Sequence, residues 1–384
     1  MTKLETLYFT DVLQIPDAIF EKLGCEDSFY FEKRFLEAFA KGNPSIQHQY
    51  LVISKGKEVQ ALAIVQLLSL TLDKAPETIS IQNKVPQSLQ SYLNNKQITT
   101  AVCGNLFLSG NYGIFIKEGL DAAVIYEHIA QEIKALPSQK KPAVFFLKDF
   151  TKEHSPSIDR VQNHKFQVFQ VEPNMSLEIK WPDFETYKAN LRSKYRVKIN
   201  KADSQSSLLT VKRFEAADIK IHIKRLQELY SNITDRAVFK TVAMQVETYM
   251  LLQERFSFSE GNSHNRVYFN TYWYENKIVG FATAFKVGEV LDAHYVGIDY
   301  AYNKELSIYP RILNDYVRLG FDLGSTKVNL GRTSSEIKST LGAQPENLNC
   351  YVRHRKTFAN VMFKPLIRQL KMTEYKQHRP FKNY

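Results

Sequence analysis

The sequence has few of the features that mark membrane, secreted or metal-binding proteins. Only three cysteines occur, Cys25, Cys103 and Cys350, and their spacing offers neither a disulfide framework nor a CxxC pair. The longest apolar run, residues 61–72, contains Gln66 and falls short of the roughly 18 residues of a membrane span. The N-terminal stretch carries acids and lacks the apolar core of a signal peptide. These absences predict a cytoplasmic protein with buried cysteines.

Histidine is also sparse, and acidic residues are scarce in two stretches. The nine histidines do not cluster at ligand spacing, so no metal site is predicted. From residue 350 to the end there are nine Lys/Arg and one acid, Glu374, which accounts for 9 − 1 = 8 of the net charge of +11. Residues 188–201 hold six basic residues and no acid. Such stretches favour an anionic partner such as tRNA or anionic lipid; the alternative is a solvated basic face.

What is present is the composition of a globular protein. Hydrophobic residues make up 44% and charged residues 24% of the 384 positions, which excludes a disordered chain. The length exceeds one ordinary domain and predicts about two. We place the first lobe at residues 1–175 and the second at 176–384, the latter ending in the basic tail. The oligomeric state is left open.

The order of elements repeats. In the first half, residues 49–70 predict a hairpin, 99–110 a strand, 120–136 a helix and 142–150 a buried strand. In the second half, residues 266–288, 291–298, 308–321 and 327–332 predict the same four elements in the same order. A strand–helix–strand unit implies a right-handed crossover between parallel or splayed strands. The sequence therefore predicts a mixed α/β fold, with two similar sheet units related by a pseudo-twofold repeat.

Two further helices are predicted between the repeats. Residues 181–202 place apolar side chains on one helical face, although Tyr195, Val197 and Ile199 also alternate as in a strand. Residues 216–234 show a second amphipathic pattern.

Three stretches of the second half resemble the FemAB-like transferases of the GNAT superfamily. They are NLRSKYRVKINKA at 190–202, GEVLDAHYVGID at 288–299 and KVNLGRTSSEIKSTLGA at 327–343. Similar segments occur in the bacterial BioF2-like acetyltransferase domain group. The resemblance covers residues 180–345 best, and over 1–175 it rests on the repeated element order.

This resemblance implies two tandem GNAT-like lobes and an acyl or aminoacyl transfer to an amine. The acceptor would be a cell-envelope component, a peptidoglycan precursor or a lipid. The donor would be a co-substrate, namely acyl-CoA, acyl-carrier protein or aminoacyl-tRNA, and no cofactor would be bound permanently. Such a protein could be cytoplasmic or peripheral to the inner membrane.

A glycine-rich turn is missing where an acetyl-CoA-dependent member would hold pyrophosphate. Residues 299–310, DYAYNKELSIYP, contain no glycine, although backbone N–H groups at such a turn usually bind the phosphates. Residues 109–119 contain three glycines, but these fit strand-end turns. The absence argues against acetyl-CoA as the donor.

The strand at 291–298 supplies three candidate site residues. His294 could act as a general base, because its ordinary pKa lies near neutrality, or be a satisfied interior histidine. Tyr295 is a candidate substrate-binding residue, expected to point to the opposite face from His294. Asp299 at the strand end could accept a proton or cap a turn.

The next candidates follow the last strand of the repeat. TSSE at 333–336 fits a capping box that opens a helix. Arg332 follows the strand, and Ser335 and Lys338 lie near the helix N-terminus, which suits anions; Arg332 and Ser335 are candidate substrate-binding residues. The resemblance implies that Lys338 stabilises substrate charge; the alternative is an exposed surface lysine.

Two basic segments are candidate binding surfaces. Arg192 and Arg196 share one flank of the predicted helix and could hold phosphates of a tRNA or a nucleotide-linked precursor. In the segment 351–384, aromatic residues such as Tyr351 and Phe358 interleave with basic ones such as Arg353, which suits RNA stacking or a membrane surface. The alternative to an enzyme is a non-catalytic GNAT-fold protein that binds an anionic ligand or RNA.

Overall fold

A computed structural model describes residues 3–25, 28–71, 97–138, 141–235, 243–256, 266–361, 372 and 374–382. The chain forms two compact units. Unit 1 comprises residues 1–172, 238–243 and 347–373, and unit 2 comprises 173–237, 244–346 and 374–384. The division into lobes at 175 and 176 stays a prediction.

In the described residues up to 178 there are seven strands and four α-helices. They are β1 (Leu4–Phe9), α1 (Asp17–Leu23), α2 (Lys33–Gly42), β2 (Gln47–Lys55), β3 (Glu58–Thr71), β4 (Gln97–Cys103), β5 (Ile114–Ile116), α3 (Ala122–Glu132), β6 (Val144–Thr151), α4 (Ser155–Ile158) and β7 (Gln167–Glu178). Short 3-10 helices lie at Val12–Gln14, Phe29–Phe31 and Asp159–His164.

The remaining elements follow in chain order. They are α5 (Phe184–Asn190), α6 (Ser193–Gln205), β8 (Thr210–Arg213), α7 (Ala216–Thr234), α8 (Glu247–Phe256), β9 (Val267–Tyr274), β10 (Lys277–Val287), β11 (Val290–Ile298), α9 (Tyr300–Asn303), α10 (Ile308–Asp322), β12 (Lys327–Asn329), α11 (Ser335–Ser339) and β13 (Gln344–His354). No helix in the described part of the chain has the length and apolar character to cross a membrane.

Unit 1 is built on a mixed sheet in the order β1-β2-β3-β4-β6-β13, with β5 beside β3. β4 and β6 are parallel, and the other neighbours are antiparallel. The apolar face of α3 packs on the sheet through Ile125, Tyr126 and Ile129 in one core cluster. Burying side chains of this size contributes about 1.5–3 kcal/mol each.

Unit 2 repeats this plan with the order β7-β12-β11-β10-β9-β8. β11 and β12 are parallel, and α10 covers them through Ile312, Leu313 and Val317. Pro310 lies in the first turn of α10, where its missing N–H costs little. The hairpin–strand–helix–strand order is thus present twice, as β2-β3-β4-α3-β6 and β9-β10-β11-α10-β12, and the predicted repeat of elements is confirmed.

Candidate functional site

The two parallel strands of unit 2 separate after three residue pairs. In the described residues, β11 pairs with β12 only over 290–292, yet β11 runs on to Ile298. The chain after β12 stays beside β7, because Leu330 N–H donates to Met175 O at 2.7 Å and Met175 N–H donates to Gly331 O at 3.1 Å. The far half of β11 is therefore not covered by β12.

A bulge lies in that far half of β11. The register of β10 against β11 shifts between Ala282 and Ala284. At the shift one residue of β10, Thr283, faces two residues of β11, His294 and Tyr295, as in a β-bulge. The expectation that these two side chains point to opposite faces was wrong, since their rings lie 4.3 Å apart. The extra residue interrupts the alternation of the strand.

Both bulge residues contact tyrosines of helices α7 and α8. His294 Nδ1 lies 2.6 Å from the hydroxyl oxygen of Tyr249, and the rings of Tyr295 and Tyr230 are 5.2 Å apart. Burial raises the pKa of Tyr295 to about 12, against the opposing effects of a hydrogen bond with Tyr230 and the charge of Arg332. Tyr295 therefore keeps its proton near neutral pH and can donate a hydrogen bond but not act as a base.

Asp299, at the end of β11, has the contacts of a helix cap and an ion pair. One carboxylate oxygen lies 2.6 Å from Arg225 and 3.2 Å from Lys277, and the other accepts from Ala301 N–H at 3.2 Å. Partial burial favours the neutral form, but the hydrogen bonds from Arg225 and Lys277 hold the pKa of Asp299 below its ordinary value. We assign Asp299 no proton transfer, because a carboxylate held in this way is a weak proton acceptor.

Lys338 on α11 points inward. Its side chain is 3% exposed, and its amine donates to Arg332 O at 2.6 Å and to Gly331 O at 3.1 Å. Ser335, one turn earlier, is also buried. The alternative of an exposed surface lysine was therefore wrong: Lys338 closes the turn that carries Arg332.

Three non-glycine residues near this turn have left-handed backbone conformations. They are Ser307 (φ 45°), Thr333 (φ 62°) and Ser334 (φ 49°). The predicted capping box at 333–336 is not formed, because Ser334 precedes α11 in that conformation and its side chain makes no capping hydrogen bond. Such residues are strained, and strain of this kind concentrates at functional sites.

The basic stretch at 188–201 is interrupted. The helix predicted over 181–202 is two helices, since α5 ends at Asn190 and α6 begins at Ser193. Arg192 lies at the break, where its N–H donates to Pro380 O at 2.8 Å. Arg192 is exposed and Arg196, in the first turn of α6, is half-buried.

The partner of this break is the C-terminal segment, residues 374–382. Phe381 forms an isolated β-bridge with Leu191, and its ring lies 4.6 Å from that of Trp181. Gln377 Nε2 donates to Ala343 O at 2.9 Å. This part of the predicted basic tail is therefore a structural component of unit 2.

A cavity of about 550 Å³ lies between α6, the N-terminal end of α10, α11 and the C-terminal segment. Its walls include aliphatic side chains such as Ile199, Leu313 and Leu341. Its charged and titratable side chains are Tyr195, Lys198, Lys201, Glu336 and His378, and its other polar ones are Gln205, Ser307, Asn314 and Thr340. We call this space the unit 2 cavity.

The charges around the unit 2 cavity suit a ligand with an anionic part. The N-terminal end of a 15-residue helix, α10, opens there through Ser307 and Pro310 and carries partial positive charge. Lys198 and Lys201 are exposed on α6 beside it. Phosphate groups are bound at helix N-termini of this kind.

The first part of the predicted tail has a different place, in unit 1. Tyr351 is buried in the core, Arg353 donates to His164 O at 2.5 Å and Arg355 donates to Pro142 O at 2.7 Å. The prediction that Tyr351 stacks on RNA was wrong, because the core already covers its ring. Phe358 is 82% exposed, and residues 362–371, 373 and 383–384 lie outside the described residues.

Sequence reasoning missed three residues of the unit 2 cavity. Tyr195 was read only as an apolar helix position, Glu336 only as part of a cap, and His378 was not singled out. They lie on α6, on α11 and in the C-terminal segment, so no local spacing connects them.

Comparisons with known proteins identify the fold. Neither a protein-family model nor a curated protein matches the chain. Among solved structures, the chain is similar to FemX at 10% identity, with 90% of this chain and 96% of that one covered and a TM-score of 0.54. A tandem GNAT protein from the clavulanic acid biosynthesis pathway shares 9% identity over 92% of this chain and 99% of that one, with a TM-score of 0.54.

A third similar structure is the C-terminal domain of a putative lysylphosphatidylglycerol synthetase from Agrobacterium fabrum. It shares 8% identity over 91% of this chain and 95% of that one, with a TM-score of 0.52. At these identities the likeness shows the fold alone. The predicted fold class, a mixed α/β protein of tandem GNAT-like type, is confirmed.

Proposed function

We propose that unit 2 catalyses transfer of an activated acyl or aminoacyl group to an amine, with a cell-envelope or lipid component as the acceptor. The observation that carries this proposal is the separation of β11 from β12 after residue 292. It leaves a bulged strand edge on the same unit as a cavity that suits an anionic ligand. The fold shared with FemX and with a tandem GNAT protein supports it.

The reaction asks little of the protein beyond placement. An activated acyl group already carries its leaving group, so the site must align donor and amine, stabilise the developing oxyanion and move one proton. Backbone N–H groups along the uncovered half of β11 are preorganised donors for an oxyanion. A bulge turns such groups away from the regular ladder, which suits the segment at His294 and Tyr295 to this role.

The candidate residues divide into contact and positioning roles. We assign substrate contact to Arg332 and Tyr295, a cation and a neutral hydroxyl donor, and a hydrogen-bonding role to His294. Lys338 and the buried Ser335 position the turn that carries Arg332. In this proposal Lys338 acts on substrate through that turn.

The donor would be acyl-CoA, acyl-carrier protein or aminoacyl-tRNA, all of which carry phosphate. Arg192 and Arg196 lie on α6 or beside it, as does Lys198 of the unit 2 cavity. They could follow the phosphates of a donor bound there. The lipid acceptor is suggested by the name of one structural neighbour, a putative lysylphosphatidylglycerol synthetase.

A transfer assay tests the proposal. The full chain is incubated with [14C]acetyl-CoA or with tRNA charged with a [14C]amino acid mixture, in the presence of phosphatidylglycerol vesicles or a nucleotide-linked peptidoglycan precursor. We expect label in an acceptor with one donor class, and a fall of about 100-fold or more in Arg332→Gln, as when one oxyanion donor is removed.

Arg160→Gln is the matched control, because Arg160 is an exposed arginine of unit 1. It should transfer at the wild-type rate. Equal rates for Arg332→Gln and Arg160→Gln would contradict the assignment of Arg332. Absence of transfer from every donor would contradict the enzyme.

One observation favours a second candidate, a non-catalytic protein that binds an anionic ligand or RNA. Residues 299–310 lack glycine, and they contain the short helix α9, whose cap Asp299 is ion-paired. That segment is therefore less suited to wrapping a pyrophosphate. Equilibrium dialysis with the same labelled donors distinguishes the candidates, since binding without transfer is expected only of the second.

A further inference from the structure

Three side chains in the wall of the unit 2 cavity form a continuous hydrogen-bond chain. The hydroxyl oxygen of Tyr195 lies 3.1 Å from His378 Nδ1, and His378 Nε2 lies 3.1 Å from Glu336 Oε1. All three residues line the cavity. They belong to α6, the C-terminal segment and α11 respectively, and Tyr195 and His378 are 183 positions apart.

The chemistry of the three groups fixes the direction of the chain. A carboxylate can only accept, so His378 Nε2 carries the proton that is donated to Glu336. Nδ1 of the neutral ring is then an acceptor, and Tyr195 O–H donates to it. The C-terminal segment holds the ring in place, because the backbone N–H of His378 donates to Ser339 Oγ at 3.1 Å.

The surrounding charges favour proton movement along this chain. On α6, the amines of Lys194 and Lys198 lie 4.8 Å and 5.9 Å from the centre of the Tyr195 ring. On α11, Glu336 is the charged group that faces His378. The lining residues from α10 are uncharged, and Lys201 completes the charged lining from α6. The tyrosine end is thus beside cations and the histidine end beside an anion.

We propose that Tyr195, His378 and Glu336 form a proton relay for the transfer reaction, an inference that rests on the proposed function. As the amine nitrogen bonds to the acyl carbon, its proton passes to the Tyr195 oxygen and the Tyr195 proton passes to His378 Nδ1. The imidazolium is stabilised by Glu336. When the bond from the acyl carbon to the leaving oxygen or sulfur breaks, the proton returns along the chain to the leaving group.

The relay assigns different roles to its members. In this proposal the reacting amine enters the unit 2 cavity, where Tyr195 contacts it as the catalytic residue, and His378 and Glu336 are positioning residues that act through Tyr195. Together they supply the proton acceptor that Tyr295, with its raised pKa, and Asp299, in its ion pairs, do not.

A pair of hydroxyl deletions tests the relay. Tyr195→Phe should lower kcat by about 100-fold or more, the scale of general acid–base catalysis, with little change in KM. Tyr187→Phe is the matched control, since Tyr187 is a buried tyrosine of the same unit whose hydroxyl donates to Leu341 O at 2.8 Å. It should keep the wild-type kcat while losing a hydrogen bond of the same kind.

The pH profile separates a relay from a mere attachment of the C-terminal segment. The relay needs neutral His378, so the wild-type rate should fall at low pH. His378→Gln should lose that limb. A low-pH limb unchanged in His378→Gln, or a wild-type kcat in Tyr195→Phe, would overturn the relay.

A spectroscopic readout needs no substrate. Nitrogen NMR of the full chain should show His378 as the Nε2–H tautomer at pH 8, and Glu336→Gln should weaken that preference. An Nδ1–H tautomer in the wild type would overturn the relay. Absence of transfer by the wild type, from any donor, would instead overturn the proposed function and the catalytic use of the relay with it.

Discussion

The two parallel strand pairs, β4/β6 in unit 1 and β11/β12 in unit 2, separate in the same way but have different surroundings. β4 and β6 pair up to Cys103 and Leu147, and β11 and β12 pair up to residues 292 and 329. Two residues later each second strand has a left-handed residue, Asp149 (φ 66°) and Gly331 (φ 72°). In both units, therefore, a left-handed residue follows the point where the two parallel strands separate.

In unit 1 the chain after β4 packs beside the point where β4 and β6 separate. We call residues 104–113 the plug. The amine of Lys148 donates to Leu108 O at 2.6 Å. Ile64 N–H donates to Gly113 O at 2.7 Å, and Gly104 N–H donates to Ile64 O at 3.0 Å. A Cβ on Gly113 would lie 2.2 Å from Gly104 Cα, so only glycine permits this packing. In unit 2 the corresponding residues, 299–307, contain the short helix α9 instead. We therefore call unit 1 the closed lobe and unit 2, where the proposed function places the reaction, the open lobe.

The largest expected effect concerns the closed lobe. Asp149 is fully buried and ion-paired with Lys148, and it also contacts Cys350 Sγ at 3.4 Å. Asp149→Ala should lower the free energy of unfolding by about 3–5 kcal/mol, because it leaves the amine without its carboxylate. Urea denaturation measures this. Asp149→Asn, which tolerates a left-handed backbone but also lacks the negative charge, should lose less, and equal losses in the two variants would assign the effect to the charge alone.

The second effect is acid sensitivity of the closed lobe. Burial lowers the pKa of His48 to about 4, and its ring contacts Gln66, whose side-chain oxygen accepts from Leu106 N–H in the plug. The unfolded chain binds this proton near pH 6.5, so stability is complete above that pH and falls as the pH drops toward 4. The loss should approach roughly 3 kcal/mol.

Unfolding followed between pH 7 and pH 4 checks this prediction. His48→Gln should flatten the profile of unit 1. An equally steep profile in the variant would place the acid sensitivity elsewhere.

The third effect concerns the open lobe. Lys338→Met keeps the aliphatic volume and removes the two hydrogen bonds to Gly331 O and Arg332 O. We expect a loss of about 1–3 kcal/mol in the free energy of unfolding, since buried carbonyls lose charged donors, together with a lower transfer rate. A variant with wild-type stability and no transfer would show that Lys338 contacts substrate directly.

The smallest expected effect on stability concerns Gly331, the left-handed residue of unit 2 that corresponds to Asp149 of unit 1. Gly331→Ala should cost about 1–2 kcal/mol, the penalty of a left-handed backbone for a residue with a Cβ. Gly331→Asn should cost less, because asparagine tolerates this conformation. Equal stability of all three proteins would show that the turn can relax, and that the resemblance to Asp149 is accidental.

The order of elements was predictable from sequence because each element carries its own local pattern. The hairpins, α10 with Pro310 in its first turn, and the parallel strands all follow from spacing within a few residues. The features that failed depend on distant partners. Helix α6 begins anew because Arg192 bonds to Pro380, and Lys338 is buried because the turn at Gly331 lies above it.

The candidate site was predicted only in part for the same reason. Arg332, Tyr295 and His294 could be found because they adjoin a recognisable strand or turn. The bulge at His294 depends on how β11 pairs with β10. The alternation of polar and apolar residues within β11 does not reveal this register. His378 could be connected to Tyr195 only through the fold.

Near the unit 2 cavity, two serines and a threonine with left-handed backbones limit the stability of this protein. Ser307, Thr333 and Ser334 each hold a conformation that glycine would adopt without penalty, so thermostabilising substitutions should be easiest to find there. Ser334 is hydrogen-bonded to Tyr309 at the start of α10, and glycine would remove that contact. Selection for heat resistance alone should therefore favour glycine at these positions before any core substitution. The hydrogen bond between Ser334 and Tyr309, which connects α11 to α10, would then be lost.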